Sequence, residues 1–295
     1  MIISCKRTWR KENLSSQICF MPYNFNYLII YRFINPKKQK MKIAIVTWAS
    51  SGLWKIFVDN LIKEKDLDQI RVLARSTDKL NELKKEYWDK IVPHTIDLSI
   101  QDEIIKFSKK LKEEKYEIRY LVNNAWYGKF WASDEIPLED SLNMIDLNIK
   151  AVVSMCYICT PFMHKWDHII NIASAASFQP LPYINNYAAT KAFVKSYSRA
   201  LNMELKEKWV SVTAVCPIWM KTNFMKVWDI WLKKAPKIYK PTVNPERVVQ
   251  KAISDAKKWK DLSLYSLYSK WMQIISCIIP DRRLMKARLK MEKLD

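Results

Sequence analysis

The sequence predicts an α/β fold: a doubly wound parallel sheet of about seven strands with helices on both faces, in a single domain. Three observations carry this. From Lys42 onward, short runs rich in Val, Ile and Leu alternate with longer segments whose apolar residues recur at helical spacing. The short runs are continuously apolar, as strands covered on both faces are, whereas strands with one wet face would alternate. No internal repeat or low-complexity linker interrupts the pattern, so nothing marks a second domain.

Seven runs read as strands: KIAIVT (42–47), QIRVLAR (69–75), IVPHTI (91–96), IRYLVNN (118–124), HIINIAS (168–174), VSVTAVC (210–216) and a short late one, DLSLYS (261–266), that extends the sheet. Helical patterns fill the gaps at 53–64, 77–86 and 101–114. The arrangement is Rossmann-like. In such a sheet a ligand sits beyond the carboxyl ends of the strands, beside the first strand-to-helix turn.

Composition narrows the function classes. The formal charge is +20, but residues 1–40 hold eight Lys/Arg against one Glu. Elsewhere much of the Lys is interleaved with Glu and Asp on helical segments, a solvated face and not a nucleic-acid surface. No run reaches the roughly 18 uninterrupted apolar residues of a membrane span, so a soluble chain is expected. Cys156 and Cys159 form a CxxC inside an apolar helical run without a second pair or a nearby His, which reads as buried packing in a reducing, cytoplasmic setting. No metal site is expected. Met41 directly precedes the first strand and is the expected start of the domain, 41–295; residues 1–40 read as a disordered extension or a misassigned start.

The first turn reads Thr47-Trp48-Ala49-Ser50-Ser51-Gly52-Leu53-Trp54. With glycine at 48 and 54 it becomes TGASSGLG. That resembles the TGxxxGxG turn of the short-chain dehydrogenase/reductase family, whose glycines let backbone amides and a helix N-terminus approach a pyrophosphate. Further motifs of that family follow in order over about residues 42–224: Asn123-Asn124-Ala125-Trp126 for NNAG, Asp97 ending the third strand, Asn148 in DLNIKA, Ser174 in NIASAAS, and Tyr187 with Lys191 as YxxxK.

The resemblance implies an oxidoreductase that interconverts a carbonyl and a secondary alcohol by hydride transfer. Tyr187 is then the general acid/base and Ser174 bonds the same substrate oxygen. Lys191 lowers the Tyr187 pKa and grips the nicotinamide ribose, and Asn148 positions a water feeding protons to Lys191. Tyr187 and Lys191 are four apart, so on a helix they share one face. The implied cofactor contacts are Thr47, Ser50, Ser51, Gly52, Leu53, Arg75, Asp97, Leu98, Asn124, Ala125, Tyr187, Lys191, Pro217, Met220 and Thr222. Asp97 is the residue that bonds the adenine amino group, and Pro217 opens a segment resembling PGxxxT with Ile218 in the glycine place.

Cofactor choice rests on Ala74-Arg75. An acidic residue there would repel a 2′-phosphate, whereas Arg75, supported by Ser50 and Lys55, would pair with it; NADP(H) is expected, with NAD(H) as the alternative. Residues 223–245 would form a substrate lid. A small-molecule carbonyl or alcohol is the expected partner, with a homodimer or homotetramer by analogy and no nucleic acid. The tail 268–295, apolar then basic, leaves open a peripheral membrane contact or a subunit interface. His94, His164 and His168 have no place in the scheme and read as structural.

Two counts stand out: 2 glycines and 13 tryptophans. Trp48, Trp54, Trp126 and Trp131 fall where the family pattern has glycine, and Trp88, Trp166, Trp209 and Trp259 sit at polar turns, where so large a side chain is seldom placed. The expectation is a gene that uses UGA for glycine, translated with UGA as tryptophan; Trp9 and Trp219 fall at no glycine position. Were the tryptophans real, the alternative is a non-catalytic binding protein of this fold.

Overall fold

A computed structural model describes residues 40–47, 52–114, 116–129, 132–220 and 242–292. Ser50, Ser51 and Thr222, with Trp48, Trp131, the first 39 residues and 223–241 of the expected lid, lie outside the described residues.

Seven strands form one all-parallel sheet. They are β1 (Lys42–Thr47), β2 (Gln69–Ala74), β3 (Ile91–Thr95), β4 (Glu117–Asn123), β5 (Asp167–Ile172), β6 (Val210–Val215) and β7 (Leu262–Ser263). Their spatial order is β3-β2-β1-β4-β5-β6-β7, so the winding reverses between β1 and β4. The helices are α1 (Leu53–Leu61), α2 (Thr77–Tyr87), α3 (Gln101–Glu114), α4 (Leu138–Ile145), α5 (Ala151–Cys159), α6 (Asn185–Glu204), α7 (Pro245–Lys257), α8 (Leu267–Ile278) and α9 (Asp281–Glu292).

Alternate residues of one strand feed two cores. Ile43 and Ile45 of β1 pack with Ile104, Leu111, Val152, Met155 and Val194 of α3, α5 and α6. Ala44 and Val46 face the other way, onto Phe57, Leu61, Leu80, Val249 and Ala252 of α1, α2 and α7. Both faces are covered, which is why the strands read as unbroken apolar runs.

Helix α4 continues into α5 through a π-helical turn, Asp146–Lys150. The span Leu138–Phe162 is long and apolar enough to cross a membrane by length and composition. Its inner side, Met144, Val152, Met155, Cys156 and Cys159, is buried in the fold's cores. The two cysteine thiols are free and buried, and burial pushes Cys156 up to about 12. That agrees with the packing reading of the CxxC.

The edges depart from expectation. The last strand is two residues long, Leu262 and Ser263 pairing with Ala214 and Val215 of β6. The expected lid stops at Asn244, whose side chain caps α7 by accepting from Arg247 N–H, with Pro245 opening the helix.

Among the described residues, five non-glycine residues have positive φ: Trp88 (49°), Trp166 (73°), Trp209 (55°), Trp259 (61°) and Tyr183 (63°). Side chains with a Cβ are disfavoured there by about 1–2 kcal/mol.

Candidate active site

The carboxyl ends of β1, β4 and β5 frame the site. Thr47 is buried, and its Oγ1 accepts from the backbone N–H of Asn124 at 2.9 Å and of Ala125 at 3.0 Å. The hydroxyl expected at the cofactor therefore ties the loop after β4 to β1. Below it, Asn123 donates to Asn171 Oδ1 at 2.8 Å, and Asn171 donates to Ser198 Oγ at 2.9 Å. This buried polar chain fixes β4, β5 and α6 against one another.

Asn148 sits in the π turn and is fully buried. Its carboxamide accepts from Tyr127 N–H at 3.1 Å and donates to the Tyr127 carbonyl at 2.9 Å and to Thr190 Oγ1 at 3.1 Å. Asn148 thereby links the loop after β4 to α6, next to Lys191. π turns often mark functional positions because they redirect one side chain without ending the helix.

Ser174 follows β5 in extended backbone and caps the next turn, its Oγ accepting from Ala176 N–H at 3.1 Å. It also hydrogen-bonds the Tyr187 phenol. Tyr187 and Lys191 lie on α6, both buried, with Lys191 Nζ 5.8 Å from the Tyr187 ring centre. Lys191 Nζ donates to the Ile172 carbonyl at 2.7 Å. Serine, phenol, amine and carboxamide are thus brought to one end of the sheet.

The expected lowering of the Tyr187 pKa by Lys191 is not what the fold produces. Burial pushes the phenol up, opposed by the Ser174 hydrogen bond, and the same burial brings Lys191 down to about 7. An amine that is only partly protonated at neutral pH gives little field to stabilise a phenolate. Tyr187 is therefore held as the neutral acid.

The sign for stability follows by linkage. The unfolded chain binds more protons at Lys191 than the native chain between pH 7 and about 10.4, so its contribution to stability rises with pH across that window. Chemical denaturation of the protein and of Lys191→Met from pH 6.5 to 9.5 should show an upward slope in the parent alone; equal slopes would disprove this.

Beyond β2, β3 and β4 lies a cleft of about 300 Å³ lined by Arg75, Ser76, Lys79, Asp97, Leu98, Ala125 and Trp126, among others. Arg75, Asp97, Leu98 and Ala125 were expected there. Asp97 Oδ1 accepts from Ser99 N–H at 2.9 Å and from Ser99 Oγ at 2.6 Å, and Arg75 Nη1 lies 3.7 Å from Asp97 Oδ2. The Arg75 side chain is 76% exposed, so this pair contributes little and leaves the guanidinium able to turn to an anion. Lys55, expected to support Arg75, pairs with Glu86 at 2.7 Å, an exposed pair that likewise leaves the amine able to turn to an anion. Lys79 also lines the cleft, in the first turn of α2 behind the Ser76 cap. A basic residue in the first turn after the strand-ending Arg75 was the available signal.

Two features fit a dinucleotide. Gly52 caps α1 in right-handed backbone with no side-chain cap bond, and a Cβ there would meet nothing within 4 Å among the described residues, so no side chain of the cap competes for the N–H donors of the helix N-terminus. The Asn124 carboxamide is buried, and neither its oxygen nor its nitrogen has a hydrogen-bond partner among the described residues. A buried amide left unpaired costs about 1–3 kcal/mol, a cost a bound polar ligand removes. Trp126 was expected only as a displaced glycine. Its indole lies 5.5 Å from the Tyr187 ring and 5.0 Å from Lys191 Nζ, centre to centre and centre to atom. Pro217 accepts from Ala175 N–H at 2.9 Å, and Met220 bridges to Val243. Leu53 is buried in the α1 core contact.

His94 and His168 have the structural contacts expected of them, whereas the exposed His164 side chain lies within 4.8 Å of the Glu117 and Asp167 carboxylates. His168 bonds Ser211 Oγ at 2.7 Å and is brought down to about 4 by burial, and His94 packs edge-on against Phe107. His164 donates its backbone N–H to Asp167.

A family model described as short chain dehydrogenase matches residues 42–233. Among relatives, the very-long-chain 3-oxoacyl-CoA reductase-B of Danio rerio is 32% identical over 223 residues, covering 72% of this chain and 68% of that protein. The very-long-chain 3-oxoacyl-CoA reductase of Homo sapiens is 29% identical over 241 residues, covering 79% and 74%. Among solved structures, the closed form of serine dehydrogenase complexed with NADP+ is 32% identical, with a TM-score of 0.62 over 70% of this chain and 86% of that one. A short-chain dehydrogenase from Sphingobium yanoikuyae in complex with NADPH shares the fold, with a TM-score of 0.67 at 21% identity over 84% and 96%.

Proposed function

Since the chain belongs to the short-chain dehydrogenase family, we propose that it is an NADP(H)-dependent reductase of a ketone group, acting on 3-oxoacyl thioesters. The observation that carries the reading is the convergence of the Tyr187 phenol with Ser174 at the end of β5 and with Lys191 one turn along α6. A phenol held protonated is suited to giving a proton to an alkoxide oxygen, which favours reduction over oxidation. The named activity of the relatives supports the substrate class.

The bound nicotinamide would supply the hydride. Ser174 orients the carbonyl oxygen, Tyr187 Oη delivers its proton to that oxygen, Lys191 would return a proton to Tyr187 from its ammonium, and Asn148 holds the loop after β4 against α6 beside it. Gly52 and Asn124 would meet the pyrophosphate and neighbouring groups, with Arg75 and Lys79 on a 2′-phosphate. Ala74 leaves no carboxylate to repel that phosphate.

Loss of absorbance from NADPH in the presence of 3-oxoacyl-CoA tests the proposal, using protein with glycine at 48, 54 and 126. Arg75→Ala should raise KM for NADPH about 10–100-fold, the worth of a charge-assisted bond, and leave KM for NADH in place. No turnover of any 3-oxoacyl-CoA, or equal effects on both cofactors, would overturn it.

A homo-oligomer through α4, α5 and α6 is the accompanying reading. Leu138 is 74% exposed and Tyr157 80%, and Leu142, Ile145, Phe193 and Met203 are exposed on these same helices. Large apolar side chains grouped in this way mark an association surface. Light scattering should return a dimer or tetramer mass, and a monomer at micromolar concentration would refute it.

A further inference from the structure

We propose that residues 88, 166, 209 and 259, and with them 48, 54 and 126, are glycine in the protein the cell makes. The sequence raises this from composition; the backbone supplies independent grounds. Eight of the 13 tryptophans are described, and they account for four of the five non-glycine residues at positive φ. No rule of packing sends indoles to left-handed turns, while glycine is the residue that enters them without a Cβ clash.

Each turn has its own glycine signature. At the end of α7, Trp259 N–H donates to the Ala256 carbonyl and Lys260 N–H to the Asp255 carbonyl, both at 3.0 Å. These are the paired bonds of a Schellman motif, with Trp259 at the position after the cap that glycine usually holds. After α6 the same pair recurs: Trp209 N–H to the Lys206 carbonyl at 3.0 Å and Val210 N–H to the Leu205 carbonyl at 3.3 Å. Trp166 takes the third place of a turn closed by Asp167 N–H to the His164 carbonyl at 3.2 Å, with φ 73°, close to the positive φ a type II turn needs there. Trp88 has φ 49° and ψ −137°, outside the left-handed helical well, in a region only glycine visits readily. The Trp259 indole nitrogen is also buried without a hydrogen-bond partner, as no selected tryptophan tends to be. Tyr183 is the exception; Trp54 and Trp271 lie inside helices, where the backbone carries no sign either way.

The consequence falls on the cleft. Trp126 lines it and touches both Tyr187 and Lys191. Glycine at 126 opens the space over that pair, and this part rests on the reductase reading above. Tandem mass spectrometry of peptides from the protein purified from its own cells decides the residue identities. Glycine at 88, 166, 209, 259 and 126 is expected; tryptophan at these positions, or UGG codons in the gene, overturns the proposal. NADPH titration of the all-glycine and all-tryptophan forms then separates the two readings. Binding at least about tenfold tighter by the glycine form is expected. Glycine in the peptides with no NADPH binding would sink the reductase reading and leave the recoding standing.

A different observation carries a second inference. On α8, Leu267, Trp271, Ile274 and Ile278 are all exposed, at 82%, 62%, 55% and 73%. Their spacing of four, three and four residues lines them along one face. The opposite side is held by Ser269, buried, and Met272, which packs on the core. Helices α8 and α9 together carry six Lys/Arg against two Asp/Glu, and Arg282, Arg283, Lys286 and Lys290 of α9 are exposed. An outward apolar stripe followed by a basic helix is complementary to an anionic lipid surface. The geometry points to these two helices docking on such a membrane; Leu267, Ile274 and Ile278 keep the stripe whichever residue stands at 271.

Flotation with vesicles of phosphatidylglycerol and phosphatidylcholine tests it. The protein should float with the mixed vesicles, remain below with pure phosphatidylcholine, and be released by 0.5 M salt; failure to float with the anionic vesicles overturns the inference. Ile274→Glu/Ile278→Glu should abolish flotation with an unchanged circular dichroism spectrum and unchanged mass in solution. A fall in mass of that variant without vesicles would assign the stripe to a second copy of the chain and also overturn it.

Discussion

Tyr187→Phe should lower kcat for carbonyl reduction by about 10²–10⁴-fold, the usual worth of a positioned proton donor, while NADPH affinity stays within about twofold. The substitution removes one oxygen from a buried ring. Phenylalanine keeps the contact with residue 126 and the packing against Leu181, Ile184 and Ala188, so the fold has no reason to move. What is lost is the proton and the hydrogen bond with Ser174. Because the alkoxide forms only as hydride arrives, the effect belongs to kcat and not to KM. Single-turnover oxidation of enzyme-bound NADPH reads it directly. An unchanged rate would remove Tyr187 from the chemistry, and a loss matched by weaker NADPH binding would make it a residue of the cofactor site instead.

That prediction was within reach of the sequence because its parts are local. Tyr187 and Lys191 are one helical turn apart, and no tertiary information is needed to set them on one face. Ser174 and Asp97 could be found because each ends a run whose unbroken Val/Ile/Leu content already made it a buried strand. The two-sided burial of β1 was legible for the same reason, with Ile43 and Ile45 going to one core and Ala44 and Val46 to the other.

What escaped is set by long-range partners. Nothing near Lys55 in sequence announces Glu86, thirty-one residues away, which the fold brings to 2.7 Å from its amine. Nothing in DLNIKA announces a π turn, because the bulge is settled by Asn148 reaching Tyr127 and Thr190. The direction of the Tyr187 pKa was misjudged because spacing reveals a neighbouring amine but not that both groups are fully enclosed, and enclosure outweighs the neighbour. Two residues of β7 pair out of a six-residue run because only Ala214 and Val215 of β6 stand opposite it, a partner that the run's own composition cannot signal.

Trp88→Gly should raise the stability of the chain, against the ordinary expectation that removing a large aromatic destabilises. The backbone at φ 49°, ψ −137° costs a residue with a Cβ about 1–3 kcal/mol. Glycine returns about 0.4–1 kcal/mol of that through the greater freedom of its unfolded chain. The indole is 79% exposed, so little buried area is forfeited. The balance is a gain of about 1 kcal/mol, or roughly 2–4 °C in melting temperature for a domain of this size. Trp88→Ala is the control that isolates the cause, since alanine removes the indole and keeps the Cβ. If strain governs, alanine leaves the melting temperature near the parent value and glycine raises it. Were alanine to match glycine, the indole itself would be the burden and the backbone irrelevant. At Trp166, Trp209 and Trp259 the outcome is closer to neutral. Those rings contact one another at 5.3–5.9 Å between centres, each pair worth about 0.5–1.5 kcal/mol. Glycine there relieves the backbone and dissolves the cluster together, so position 88 reads the strain most cleanly.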